Sequence, residues 1–327
     1  MSSTHLVYEI STDVETAVLT QRLQERFSVQ MAAPVACEGT YYDTFDWRLY
    51  AAGSLLEVSA EESGFLLQWR KLDDDRPQAT LATPTMPRFA WDLPAGPLRA
   101  ALEPLLTMRA LLPVIRTRVV GRAINVLNED EKTVLRLSLQ GIWVIDDAGD
   151  VVAAAPTRLT LWPVKGYDLH VAEMQTVLEQ EAGVSISARP LLASALAAVG
   201  RKPGDYSGKL DVLLRPEMTA DSALKTILLE LLVTMEQNEP GLIADLDSEF
   251  LHDFRVAVRR TRSALSQVRG VLPSEIEQHF RGEFGWLGEM TGPTRDLDVY
   301  LLQFEEYRAD LPPFARDDPH TRWPNLI

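Results

Sequence analysis

The spacing of apolar residues changes once along the chain, and this change predicts two domains of different class. Before residue 201, short runs alternate between apolar and polar side chains, which is typical of strands. After residue 208, apolar residues recur every three or four positions, which is typical of helices. The segment between them, Arg201–Gly208, reads RKPGDYSG and has the proline and glycines of a linker. A chain of 327 residues is long enough for both domains.

The predicted fold class is α+β. Residues 1–205 are predicted to form an antiparallel β-barrel or tunnel, because short strands are separated by turn sequences such as Glu62–Gly64 and Asn128–Asp130. Two helices are expected to interrupt the strands, one near Asp13–Arg26 and one over Tyr167–Ala182. Residues 216–327 are predicted to form an α-helical bundle of about one four-helix repeat.

Breaker residues place the helices of the predicted bundle. The first helix is expected to end at Asn238–Gly241, where a proline and a glycine follow each other. The second is expected from Leu246 to about Val271, and shorter helices follow at 274–290 and 294–309. The tail from Leu311 is rich in proline and is expected to be poorly ordered.

Composition excludes several classes of function. The formal net charge of −15 argues against a nucleic-acid-binding protein, sequence-specific or general, although one basic cleft stays compatible with it. No apolar run approaches the roughly 20 residues that span a membrane. Cys37 is the one cysteine, so no disulfide framework can form. No secretory signal is visible at the N-terminus, and we expect a cytoplasmic location. Phosphate-loop, zinc-protease and nucleophile-elbow motifs are absent from the sequence.

The most informative segment is His252–Arg262, which reads HDFRVAVRRTR. On a helix, four of its basic residues fall within about 80° of one another: His252, Arg255, Arg259 and Arg262. Like charges at this spacing repel, so the stripe needs protein carboxylates or an external anion as partner. Asp253 is the one acid of the segment, and the planar fork of arginine suits phosphate oxygens. A solvated charged face is the simpler alternative.

This segment resembles the signature of CHAD domains, His-x-x-Arg-Val-x-x-Arg-Arg-x-Arg, at every fixed position. The downstream segment Leu287–Asp298 is similar to the second motif of the family. CHAD domains bind inorganic polyphosphate along a basic channel. The resemblance therefore implies phosphate contacts from His252, Arg255, Arg259, Arg260, Arg262 and Arg295. Arg295 could instead pair with a neighbouring acid. CHAD domains usually have two four-helix repeats, so a longer chain or a second copy in a homo-oligomer would complete the channel.

The N-terminal region resembles CYTH proteins, the family of triphosphate tunnel enzymes. The segment Tyr41–Gly53 is similar to a block of that family, Phe65–Lys71 to its tryptophan-containing strand, and Pro113–Arg118 to its paired-arginine strand. The resemblance implies a triphosphate site. Its candidate cations are Arg70, Arg116, Arg118, Arg122, Arg136 and Lys165, although several of them could instead point outward and simply be solvated.

Catalysis in CYTH enzymes also uses acidic residues that hold Mg²⁺ or Mn²⁺, and this chain departs from the family there. The opening Glu-x-Glu-x-Lys pattern is Glu9–Asp13, in which the second glutamate is replaced by Ser11. Glu9 and Asp92 stay as candidate metal ligands, with Glu57 as a further one. We therefore expect a weakened or absent phosphoryl-transfer activity.

Three hypotheses follow. The first is a protein that binds inorganic polyphosphate or tripolyphosphate through the basic helical face and carries a degenerate CYTH domain. The second is a triphosphatase that uses Mg²⁺ or Mn²⁺ to hydrolyse tripolyphosphate. The third is a protein-interaction module whose arginines dock an acidic partner.

Overall fold

The computed structural model describes residues 5–72, 74, 76–268 and 270–316. It divides into two compact units. The β unit comprises Met1–Thr107 and Leu111–Tyr206, and the helical unit comprises Met108–Ala110 and Ser207–Ile327. The expected disorder of the proline-rich tail lies, from residue 317 onward, outside the described residues.

The β unit is built on one antiparallel sheet, as predicted, so the α+β class is confirmed. Its strands are β1 Leu6–Ile10, β2 Ser28–Met31, β3 Val35–Asp43, β4 Ser54–Glu61, β5 Gly64–Lys71, β6 Ala79–Thr83, β7 Leu112–Leu127, β8 Thr133–Ile145, β9 Val151–Pro163 and β10 Val184–Ile186. The strand order is β10-β1-β9-β8-β7-β3-β4-β5-β6, with β2 also paired to β7. Among the described residues the edge strands β10 and β6 do not pair with each other, so hydrogen bonds do not close the sheet into a barrel.

Alternation along the strands gives the sheet two faces with different roles. A row of register partners, Glu9, Arg158, Gln140 and Gly121, crosses four strands on one face, which we call the Glu9 face. The opposite face carries most of the apolar strand residues. It is covered by α1, Thr16–Arg26, and α4, Asp168–Glu179, at one end and by α3, Pro97–Leu106, at the other.

One helix covers part of the Glu9 face. Helix α5, Leu191–Ala198, packs Leu192 and Leu196 against Tyr41 and Ile115 of the sheet. A four-residue helix, α2, spans Arg48–Ala51. Helices α1 and α4 are shorter than the predicted ranges by about one turn, while α2, α3 and α5 were not predicted.

Buried Asp43 organises the turn between β3 and α2. It is 2% exposed, and its carboxylate accepts N–H bonds from Thr44, Leu49 and Tyr50 at 2.7–2.9 Å. These bonds favour the ionised carboxylate, but burial outweighs them and raises the pKa of Asp43 to about 6.

The helical unit holds four long helices, as predicted from the apolar periodicity. They are α6 Ala220–Ile243, α7 Ser248–Gln267, α8 Ser274–Met290 and α9 Gly292–Asp310, followed by the short α10 Pro313–Arg316. The predicted end of the first helix at Asn238–Gly241 is wrong, because α6 continues through Pro240 to Ile243. Packing explains the difference: the ring of Phe250 lies so close to Gly241 that a Cβ there would approach it to 2.4 Å. This contact between α6 and α7 stabilises the last turn against the helix-breaking effect of proline.

The start of α7 is fixed by a buried ion-pair cluster. Asp247 is the N-cap, and its carboxylate accepts N–H bonds from Glu249 and Phe250. The same carboxylate accepts from the Arg109 guanidinium at 3.2 Å, and Asp253 accepts from Arg109 at 2.7 Å. The side chains of Arg109 and Asp247 are each 1% exposed. Because breaking a buried pair leaves an uncompensated charge at a cost of about 3–5 kcal/mol, this cluster fixes the segment 108–110 to α7.

Candidate functional site

Helix α7 separates an apolar face from a basic one. Val258 packs with residues of α6 and α8, and Leu265 is buried as well. The predicted stripe of His252, Arg255, Arg259 and Arg262 follows a neighbouring line along the helix. Arg260 lies about 100° from Arg259, off this line, and donates to the Gly208 carbonyl at 3.3 Å.

The first arginine of the stripe is used inside the bundle. Arg255 is half-buried, and its Nη1 donates to the Gly288 carbonyl and to the Thr291 hydroxyl, each at 2.8 Å. These acceptors lie at the end of α8 and at the junction with α9. Arg255 therefore holds three helices together. The His252 side chain, half-buried one turn earlier, forms no hydrogen bond or ion pair with any other described residue.

Arg295, the sixth residue implied by the CHAD resemblance, is also engaged. Its guanidinium donates to the Ser248 carbonyl at 3.0 Å. It also lies 3.7 Å from a Glu249 carboxylate oxygen and 3.9 Å from an Asp298 oxygen, and its side chain is 15% exposed. Arg295 thus pairs with neighbouring acids, which was the alternative left open for it.

Arg259 and Arg262 differ from the other arginines of the motif. Both are exposed, and neither side chain forms a hydrogen bond or an ion pair with any residue in the described part of the chain. The acid nearest in sequence, Asp253, is held by Arg109. Among the arginines of the motif, these two guanidinium groups are therefore the ones that remain available to an external anion.

Arg262 lines a cavity of 310 Å³ between α7 and α8. The other lining residues are Ser266 on α7 and Gln278, Arg281 and Gly282 on α8. Sequence reasoning missed the three residues of α8. Arg281 lies four positions after Glu277, a spacing typical of an ordinary solvated pair, and only the packing of two helices brings it to the cavity of Arg262.

The cationic residues implied by the CYTH resemblance do not share one face of the sheet. Arg70 is on the Glu9 face, where it donates to the Tyr41 hydroxyl at 3.1 Å and pairs with Glu57 at 2.9 Å. Burial, followed by the Glu57 carboxylate, raises the pKa of the Tyr41 hydroxyl. Arg136 is exposed on the same face, nearer its end. The positive charge of Arg70 is thus already neutralised within the sheet.

The paired-arginine strand presents its arginines to the opposite face. Arg116, Arg118 and Arg122 all have even numbers on β7, whereas Thr117 and Gly121 lie on the Glu9 face. Arg116 and Arg118 both bind Glu38, and together they hold the pKa of that carboxyl below its ordinary value, Arg118 first. These arginines therefore do not share a face of the sheet with Arg70, because side chains alternate between the two faces along a strand. Lys165 is exposed beyond the end of β9.

Arg158 was not identified from the sequence, although it lies beside Glu9 in the sheet. Its Nη1 donates to the Arg189 carbonyl at 2.9 Å. Only the strand register reveals its place, because the sequence around it has no distinctive motif.

The candidate metal ligands do not fit Mg²⁺ or Mn²⁺, which need several oxygen ligands around one point. Glu9 accepts a hydrogen bond from the Ser194 hydroxyl of α5. Asp92 closes a 3-10 turn, Ala90–Asp92, and accepts N–H bonds from Arg88 and Phe89. That turn packs against the opposite face of the sheet. Within the described ranges, no three acidic, histidine or cysteine side chains are grouped to hold a metal ion.

Across the described helices, none has the length and apolar character needed to cross a membrane.

Two solved structures show limited similarity to the chain. One, from Bacillus halodurans, is described as a candidate adenylate cyclase; it has 13% identity and a TM-score of 0.32, and the match covers 54% of this chain and 88% of that one. The other is a candidate adenylyl cyclase from Hippeastrum described with a dominant triphosphatase activity. It has 11% identity and a TM-score of 0.36, and the match covers 62% of this chain and 99% of that one. TM-scores at this level carry no argument about the β unit. A search among curated proteins found no match.

A comparison with protein families identifies part of the chain. Residues 226–324 match the family model described as CHAD domain. The matched range begins within α6 and includes α7, with its basic stripe, together with α8 and α9. The helical unit therefore carries a CHAD domain over residues 226–324.

Proposed function

We propose that the helical unit binds inorganic polyphosphate, or its short form tripolyphosphate, at the exposed arginines of α7. The observation that carries the proposal is the state of Arg259 and Arg262: both are exposed, and neither is paired with a described residue. A linear phosphate polymer supplies anionic oxygens at regular spacing, and guanidinium groups bind such oxygens with two parallel hydrogen bonds. The resemblance to CHAD domains supports the same ligand.

The acidic net charge of the chain is compatible with this ligand. A charge of −15 would repel a polyanion at long range, but the interaction is screened beyond about 10 Å at 0.1 M salt. Local cations then dominate the affinity. Binding is expected to weaken steeply with salt, because each neutralised phosphate releases condensed counterions.

The experiment measures binding of long-chain inorganic polyphosphate to the full chain by calorimetry at several salt concentrations. The double variant Arg259→Ala with Arg262→Ala is expected to lose about 100-fold in affinity, since a charge-assisted hydrogen-bonding side chain contributes about tenfold or more. The salt dependence should become shallower as well, because fewer counterions are released.

A matched control removes two exposed cations from the β unit. Arg136→Ala with Lys165→Ala changes the net charge by the same amount and should keep the affinity within about threefold, because neither residue belongs to the helical unit. Equal losses in both double variants would contradict the proposal, because they would indicate a net-charge effect. Tight binding of an acidic protein that polyphosphate cannot displace would favour a protein-interaction module instead.

A further inference from the structure

The cavity between α7 and α8 adds a cation from outside the CHAD signature to the basic face. Arg281 of α8 lines it opposite Arg262 of α7. Phe284 and Leu287 pack α8 against Val258 of α7, so the two helices are held at this spacing by apolar contacts. Arg262 itself lies against α8, since its Nη1 would be 3.2 Å from a Cβ at Gly288.

Charge at the cavity is incompletely compensated. Arg281 pairs with Glu277 at 3.4 Å, and about half of its side chain stays exposed. The Arg262 side chain has no hydrogen-bonding or ionic partner among the described residues. Two guanidinium groups therefore share one concave space with a single carboxylate in contact, and that arrangement favours a bound anion.

The cavity has room for such an anion. Its 310 Å³ is about ten times the share of volume that one water molecule takes in the liquid. Gly282 leaves the α8 side open, because a Cβ at that position would meet no atom within 4 Å. The amide of Gln278 offers two further N–H donors at the wall. Cations, amide donors and open space together suit the oxygens of phosphate groups.

We propose that the phosphate polymer leaves α7 at Arg262 and crosses to α8, where Arg262, Arg281 and Gln278 hold one segment of it. This inference rests on the proposed function and gives the bound polymer a direction. The opposite direction along α7 offers fewer available cations, because Arg255 and Arg295 already donate to Gly288, Thr291 and Ser248. The binding site is therefore a two-helix site, in which one wall comes from outside the recognised motif.

The first test compares two exposed cations that have equivalent local partners. Arg281→Ala is expected to lower the affinity for inorganic polyphosphate about tenfold and to reduce the salt dependence by about one released counterion. Lys225→Ala is the control, because Lys225 pairs with Asp221 of α6 at the same i,i+4 spacing. It should leave the affinity unchanged. Equal losses in the two variants would overturn the proposed path.

Two further variants test the cavity without removing a cation. Glu277→Gln removes the carboxylate that competes for Arg281, so it should raise the affinity about threefold if Arg281 binds phosphate. Gly282→Leu fills the cavity without changing charge, and leucine suits a helix better than glycine, so folding is not endangered. It should lower the affinity while the circular dichroism of the helices is kept. An affinity that neither variant alters contradicts a site in this cavity.

The outcome distinguishes the two proposals. If the unaltered chain fails to bind polyphosphate, the proposed function itself is wrong. If it binds, and Arg259→Ala weakens binding while Arg281→Ala and Gly282→Leu do not, then the polymer stays on α7 and only the present inference is wrong.

Discussion

A single arginine acts as a ligand-binding or a structural residue according to the acceptors within about 3 Å of it. Arg255 and Arg262 belong to the same motif and have the same side chain. Arg255 donates to two oxygens of α8 and the α8–α9 junction, whereas no described acceptor reaches Arg262. Motif identity therefore gives the kind of chemistry, and the local acceptors determine which residues remain free to perform it.

Asp43 provides a prediction at the same scale. Burial raises its pKa from the ordinary value of 3.8 to about 6, so the folded state binds more protons than the unfolded state between these pH values. The free energy of unfolding should then fall as pH rises through this window, by about 3 kcal/mol from this group. An NMR titration of the Asp43 carboxyl is expected to give a midpoint about 6.

Asp43→Asn is the control for the coupling between protonation of Asp43 and the free energy of unfolding. The variant cannot ionise, so this contribution to the slope of stability against pH should disappear between pH 4 and 6. A carboxyl that titrates near or below 4, with equal slopes in both proteins, would show that the three backbone N–H bonds outweigh burial.

At the scale of elements, two glycines in different helices of the helical unit should respond oppositely to the same substitution. Gly241→Ala places a Cβ 2.4 Å from the Phe250 ring and should destabilise the helical unit by about 1–3 kcal/mol through overpacking. Gly285→Ala meets no atom within 4 Å and should stabilise α8 by about 0.5–1 kcal/mol. Urea unfolding of both variants measures these differences. Changes of the same sign would contradict the packing of α6 on α7 described above.

The elements themselves were largely predictable, since apolar spacing and breakers are local signals. The positions of α7, α8 and α9 follow from the sequence within a few residues. The end of α6 does not, because a contact with Phe250 overrides Pro240. The face to which a strand residue points depends on register, so the sequence could not show that Arg116 and Arg70 lie on opposite faces. Arg281 was missed because only the packing of α8 on α7 brings it to the cavity.

At the scale of the whole molecule, the two units differ in how much charge they leave available. On the Glu9 face, Glu57 neutralises the positive charge of Arg70, and the Ser194 hydroxyl donates a hydrogen bond to the Glu9 carboxylate. With tripolyphosphate and Mg²⁺ or Mn²⁺, we therefore expect no phosphate release by the full chain beyond that of Glu9→Gln, because charge neutralisation and positioning by metal supply most of such catalysis. Metal-dependent release that Glu9→Gln abolishes would instead establish a triphosphatase.

The position of Arg109 in the chain has a consequence for folding order. Its guanidinium must join Asp247, which is synthesised 138 residues later. A helical fragment that starts at the linker would lack this arginine, and two carboxylates at the start of α7 would face each other without a cation. Cutting the chain at the predicted linker, Arg201–Gly208, would therefore remove a part of the helical unit. During synthesis, this cluster can form only after Asp247 has been added to the chain. Its formation then closes the long loop between Arg109 and Asp247, and the entropic cost of closing a loop grows only slowly with its length.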